Sequence, residues 1–283
     1  MPWLLYRAFF SLPDSIVDGE GRAVNALLGT VNALLAAIEA RPPRAVAACF
    51  GAEQAAYRVE AYAPYHAHRD PMPEALAQQW ERAPALLGSL GWTVSASEEL
   101  EADDVMFSYA ELERTSGGRS LLLTGDRDLF QVVGKAVAIL ELRKDGDPLE
   151  IGAEQVRERY GIGPELVRDF IALRGDPSDG LPGAPGIGAK TAAELLNRYG
   201  PLEEVLKVAR ADDSDMRLRT ALALSENEEL LLDFKRIATL VPIDGIVRPA
   251  DRATDFAGGA RMAAELGMKQ LARRLEKMAK AME

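Results

Sequence analysis

Ser120-Leu121-Leu122-Leu123-Thr124-Gly125-Asp126-Arg127-Asp128 is the stretch on which the fold turns. A short apolar run that ends in a glycine turn reads as a buried strand, Ser120 to Thr124. A strand apolar on both faces needs cover on both, the habit of parallel sheets flanked by helices. Two acids follow it directly. In open α/β sheets, ligands bind beyond the carboxyl ends of strands. Spaced i, i+2, Asp126 and Asp128 can face the same side there. A helix N-cap at either residue is the competing reading.

Outward from this strand the pattern repeats. Ala136 to Glu141, Arg44 to Phe50 and Trp92 to Val94 read as further strands. Between them, Ala23 to Ala40 places Val24, Leu27, Leu28, Val31, Leu34, Leu35 and Ile38 on one helical face. Glu74 to Leu90 and Glu101 to Thr115 read as helices as well. Alternation of this kind predicts an α/β fold with a central, mainly parallel sheet. After residue 150 the character changes to helices joined by Gly/Pro turns, with no convincing strand. We therefore expect an α/β region over 1–150 and an all-helical region over 151–283.

A chain of 283 residues, 48% hydrophobic and 27% charged, can bury a core without staples. No run approaches the roughly 20 apolar residues of a membrane span. The N-terminal residues lack a signal peptide's basic flank and cleavage site, so the expected compartment is the cytoplasm. A lone cysteine, Cys49, excludes an internal disulfide and a cysteine-based zinc site. The formal charge of −11 argues against a plain electrostatic binder of nucleic acid. Clustered acids can nevertheless hold divalent cations, which reverse the local sign.

The acids do cluster. Glu101, Asp103 and Asp104 open one helix, where the dipole alone favours acids. Asp126 and Asp128 follow the strand. Asp176 and Asp179 flank Pro177-Ser178, where an Asx turn is the alternative. Oxygen-only sets of this kind suit Mg²⁺ or Mn²⁺, and two such ions suit phosphoryl chemistry. Next comes Gly183-Ala184-Pro185-Gly186-Ile187-Gly188-Ala189-Lys190-Thr191. A P-loop needs Gly directly before Lys and a strand leading in; Ala189 intervenes and no strand precedes. A hairpin between two helices fits better, its backbone N–H groups open to a phosphate. Arg7, Arg58 and Arg69, interleaved with Tyr6, Tyr57, Tyr62 and Tyr65, form a candidate grip for a single strand.

Taken in order, YRAFF (Tyr6 to Phe10), EADDV (Glu101 to Val105), TGDRDLFQ (Thr124 to Gln131) and GDPSDGLPGAPGIGAKTA (Gly175 to Ala192) resemble the bacterial 5′–3′ exonuclease and flap endonuclease family. Members occur alone or fused to DNA polymerase I, and this chain resembles the free-standing form. The resemblance implies a PIN-like sheet with flanking helices, a helical arch near 62–90, and a helix–three-turn–helix motif near 166–200. It implies two-metal hydrolysis of DNA at 5′ flaps or 5′ ends. Glu101, Asp103, Asp104, Asp126, Asp128, Asp176 and Asp179 match the family's metal-binding acids. Gly186, Gly188, Lys190 and Thr191 match the hairpin that holds the duplex backbone, where the family often binds K⁺. Tyr6 and Arg7 would touch DNA. Arg58, Arg69 and His66 would position the phosphate.

Four departures qualify this. The family's first strand ends in a metal-binding aspartate that would fall just before Met1, so we expect a misassigned or truncated start. Gly51 stands where the family usually has another such aspartate. His66 stands where it usually has lysine, and histidine carries its charge only below about pH 6.5 unless perturbed. Gly180 replaces a frequent asparagine, with little effect expected. Both missing carboxylates belong to one metal position, so a weakened site is expected. The alternative is a flap-DNA-binding protein of the same fold that no longer cuts.

Overall fold

The computed structural model describes residues 1–143, 148–211 and 215–282. The chain opens on α1 (Pro2–Ser11), with Pro2 in the first turn, where its missing N–H costs nothing. Next comes α2 (Asn25–Ala40), which crosses α1 so closely that a Cβ on Gly29 would stand 2.6 Å from that of Ala8. Buried Asn25 ties the pair by donating to the carbonyls of Phe9 and Leu12. Beyond them lie β1 (Ala47–Phe50), α3 (Ala56–Ala61), α4 (Glu74–Ser89), β2 (Thr93–Ala96), α5 (Ala102–Thr115) and β3 (Ser120–Leu123). The α/β part ends with β4 (Val137–Glu141) and β5 (Leu149–Ile151).

The expected sheet exists as two pieces. β1 pairs parallel with β2, Ala47 opposite Thr93. β3 pairs parallel with β4, Ser120 opposite Val137, and β5 closes that piece antiparallel. β1 and β3 are not bonded to each other. A cavity of about 580 Å³, lined by both strands and by Leu34 and Met106, lies between them. All four anticipated strands are present, their ends shifted by up to three residues.

The rest is helical: α6 (Ala153–Tyr160), α7 (Val167–Arg174), α8 (Ala189–Tyr199), α9 (Leu202–Ala209), α10 (Leu218–Ser225), α11 (Glu228–Ala238), α12 (Phe256–Glu265) and α13 (Lys269–Lys280). Among the described residues, no helix is long and apolar enough to cross a membrane.

The two hydrophobic cores each draw on residues from both sides of residue 150. One gathers Leu122, Phe130 and Ile139 with Phe170, Leu196 and Phe234. The other gathers Leu5, Leu35 and Leu86 with Ala263 and Leu275, so α12 and α13 return to cover α4 and the N-terminal helices. Neither α12 nor α4 can bury its apolar stripe alone, and chain proximity does not decide where each finds cover. The segment 62–90, where the resemblance places the helical arch, has two parts. Residues 62–73 make a non-helical strap punctuated by Pro64, Pro71 and Pro73, and α4 after it is packed into the core through Leu76, Gln79, Leu86 and Leu87.

Candidate active site

The ends of β1 and β3, the start of α5, the strap and the Asp176–Asp179 turn enclose a cavity of about 910 Å³. Each acid reaches it through local rules. Glu101 is the N-cap of α5, where the helix dipole favours acids. Beyond β3, Thr124 Oγ1 accepts from Asp126 N at 3.0 Å, and Asp126 Oδ1 accepts from Asp128 N at 3.0 Å. These two short turns aim Asp126 and Asp128 into the cavity. Asp176 and Leu181 exchange two backbone hydrogen bonds of 2.8 Å, closing the turn that presents Asp179.

Glu101, Asp103, Asp126, Asp128 and Asp179 line this one cavity. No hydrogen bond or ion pair among the described residues reaches the side-chain oxygens of Asp103 or Asp128. Burial, then the charge of Asp126, raises Asp103 well above the usual carboxylate range. Asp128 is raised likewise by burial, then by Asp126, Asp179 and Asp176. Asp126 is raised chiefly by burial. Crowded carboxylates that raise one another and are held in no ion pair are the donor set a hard cation takes. Among the described residues no three of them converge into a ready cage.

Other assigned residues have other employment. Asp104 is 0% exposed and does not line the cavity. Its oxygens accept from both terminal nitrogens of Arg58 at 2.9 Å, from Val241 N at 2.9 Å and from Glu101 N at 3.2 Å. In this structure it holds Arg58 and, unlike Asp103, faces away from the cavity. Arg58 donates its Nε to the Ile237 carbonyl and pairs with Glu101 at 3.0 Å, so its guanidinium is directed at protein rather than at a phosphate. Burial opposes its charge, yet Glu101 and Asp104 raise it above the usual arginine range. Asp176 lies outside the cavity wall, its Oδ1 accepting from Ser178 N.

The strap closes over the acids through Asp179. Its Oδ1 meets His66 Nε2 at 3.1 Å and Arg69 Nη2 at 2.9 Å, and its carbonyl accepts from His66 N. His66 has φ of 57°, a left-handed backbone that a non-glycine residue adopts at a cost. Its ring stacks on Tyr65 at 3.8 Å, and its buried Nδ1 has no partner. Arg69 lines the cavity and remains 41% exposed. Tyr6 lines the wall, whereas Arg7 lies over the Trp3 ring at 5.8 Å. Gly186 and Gly188 lie in the hairpin leading into α8, whose first turn carries Lys190 and Thr191, and none of the four lines the cavity. Gly186 needs its φ of +75°, and Lys190 stands 91% exposed.

Two contacts escaped the sequence reading. A Cβ on Gly125 would sit 2.2 Å from the Trp3 ring, so α1 is clamped to the loop that carries Asp126. A Cβ on Gly51 would sit 2.3 Å from Ala102 N and 2.4 Å from Glu101 C, so this backbone leaves no room for the aspartate that the resemblance places there. The glycines themselves were the available signal, but a glycine does not name its neighbour.

Comparison with known proteins follows the same lines. Residues 2–161 match the 5′-3′ exonuclease N-terminal resolvase-like domain, and 162–248 its C-terminal SAM fold. A 5′-3′ exonuclease of Mycobacterium tuberculosis is 33% identical over 300 residues, covering 96% of this chain and 93% of that protein. The thermostable DNA polymerase I of Thermus thermophilus is 38% identical over 242 residues, covering 85% of this chain but 28% of the relative. The chain thus spans about a quarter of the DNA polymerase I relatives that it matches. Among solved structures, the T5 D15 protein co-crystallised with metal ions has a TM-score of 0.69 at 15% identity, covering 99% and 96% of the two chains. The catalytic core of Rad2 in complex with DNA substrate has 0.62 at 14%, covering 96% and 89%. Both share the fold, and with two family domains matched across residues 2–248, the chain belongs to the 5′-3′ exonuclease family.

Proposed function

We propose that this protein is a metal-dependent 5′–3′ exonuclease and 5′-flap endonuclease acting on DNA in the cytoplasm. The observation that carries this reading is that Asp103 and Asp128 line one cavity with Asp126 and, among the described residues, neither carboxylate is held in an ion pair. Asp103, Asp126 and Asp128, with Glu101 and Asp179 beside them, would hold Mg²⁺ or Mn²⁺, which supplies an activated water and a stabilised leaving oxygen. Arg69 swings from Asp179 to the phosphate and neutralises part of its charge. His66 keeps the strap seated on Asp179 and so positions Arg69. The duplex backbone rests on the Gly186–Gly188 hairpin, where the exposed Lys190 and the start of α8 favour an anion. A K⁺ ion at that hairpin belongs to this reading.

Cleavage of a 5′-flap DNA with Mg²⁺ and with Mn²⁺, beside Asp126→Asn, tests it. The variant is expected to lose metal-dependent cleavage and keep most DNA binding. Unchanged cleavage in the variant overturns the assignment. Gly51 favours a second reading, a weakened metal site or a flap-binding protein that does not cut. That reading predicts tight flap binding with no cleavage under any divalent ion.

A further inference from the structure

The cavity has a second end that carries no metal-facing acid. Along α1, Trp3, Tyr6 and Phe10 fall at i, i+3 and i+7, within about 60° of arc on one helix face, and all three line the cavity. The other side of the helix, with Leu4, Leu5 and Ala8, is core. The rings grow freer along the stripe. Trp3 is clamped to Gly125, Tyr6 is half-buried, and Phe10 is 71% exposed. Phe10 is braced: Phe9 meets it edge-on at 5.1 Å, and Tyr6 lies 6.3 Å away with its plane tilted by 32°.

A solitary exposed phenylalanine needs no explanation. This one prolongs a row of rings that starts beside the Asp126 loop and ends in solvent. From Trp3 to Phe10 the helix rises about 10 Å, the length of three nucleotides at roughly 3.4 Å each. An aromatic face is indifferent to base identity and to the acidic surroundings, because it binds the π-face of the base rather than its backbone. Neither Phe9 nor Tyr6 covers the outer face of Phe10.

We propose that Phe10, continuing from Tyr6, is a stacking shelf for an unpaired nucleobase on the strand whose phosphate lies at the acids. The proposal rests on the nuclease reading and adds to it a residue outside the metal and hairpin motifs. It makes the enzyme sensitive to whether the nucleotide beside the scissile phosphate carries a base.

The test uses the full chain and a duplex with a 5′ overhang, 2-aminopurine at its first unpaired position, in EDTA so that nothing is cut. The wild type is expected to quench the fluorophore. Phe10→Ala is expected to lose the quenching and bind the overhang about ten-fold more weakly, with binding of blunt duplex unchanged. Phe10→Trp is expected to restore both. An abasic site at that position is expected to weaken wild-type binding by the same factor and to add nothing in Phe10→Ala. Quenching and affinity unchanged in Phe10→Ala overturn the shelf and leave the nuclease reading standing. A wild type that binds neither DNA overturns the nuclease reading and the shelf with it.

Discussion

Arg58 and Asp104, 46 residues apart, face each other through two parallel hydrogen bonds of 2.9 Å. The pair is 3% and 0% exposed, and it ties α3 to α5 and, through Ile237 and Val241, to the end of α11. An ion pair this deep is neutral as a unit, but either half alone is a buried charge.

Removal of one half should therefore unfold more than it disarms. Arg58→Ala and Asp104→Asn are each expected to cost about 3–5 kcal/mol of stability. Arg58→Lys is expected to rescue little, since a lysine cannot make the double contact. Urea midpoints check this. A variant with wild-type stability and lost cleavage would restore Asp104 to the metal-facing set.

Asp128→Asn should do the opposite. It relieves repulsion with Asp126 and Asp179, so the metal-free variant is expected to melt a few degrees higher than the parent. The parent should gain more from divalent ions: about 2.7 kcal/mol at a hundred-fold excess over Kd. Melting curves with and without Mn²⁺ decide it. Equal gains in both proteins would remove Asp128 from the ligands.

Gly51→Asp is expected not to repair the site. Its Cβ meets the backbone of residues 100–102 rather than a yielding side chain. A loss of about 1–3 kcal/mol is expected, with Mn²⁺ affinity no better than the parent's. Stronger Mn²⁺ binding at unchanged stability would show that the strand end moves to admit the aspartate.

Glu113 predicts a pH dependence away from the cavity. Hydrogen bonds from Arg44 and Arg248 lower its carboxyl from 4.5 to about 2. The group is depressed in the folded chain, so its contribution is present above pH 4.5 and disappears as pH falls towards 2. Glu113→Gln should melt a few degrees below the parent at neutral pH, and the gap should close on acidification. A gap that stays constant down to pH 2 would deny the ion pairs that role.

Much of the molecule was legible along the chain. Apolar runs against helical periodicity located four strands and the helices between them. The pairs Asp126/Asp128 and Asp176/Asp179 stood at turns whose hydrogen bonds are local, so their presentation follows from spacing. The hairpin from Gly183 to Lys190 was readable for the same reason, since its positive-φ glycines serve the adjacent turns. Contacts between near neighbours set the element types and place acids at strand ends, and these, with the family, are readable along the chain.

Which partner each side chain takes follows from the assembled fold instead. The acids of EADDV look alike in sequence, yet Asp103 faces the cavity and Asp104 turns into the core. Arg58 and Val241 stand beside that second position and make burial of its charge tolerable. Gly51 reads as a missing ligand until the α5 backbone is seen pressed against it. Phe10 reads as one more apolar residue until the packing of α1 leaves it exposed beside the cavity. Desolvation and packing depend on residues brought together across tens to hundreds of positions, and no local spacing encodes them.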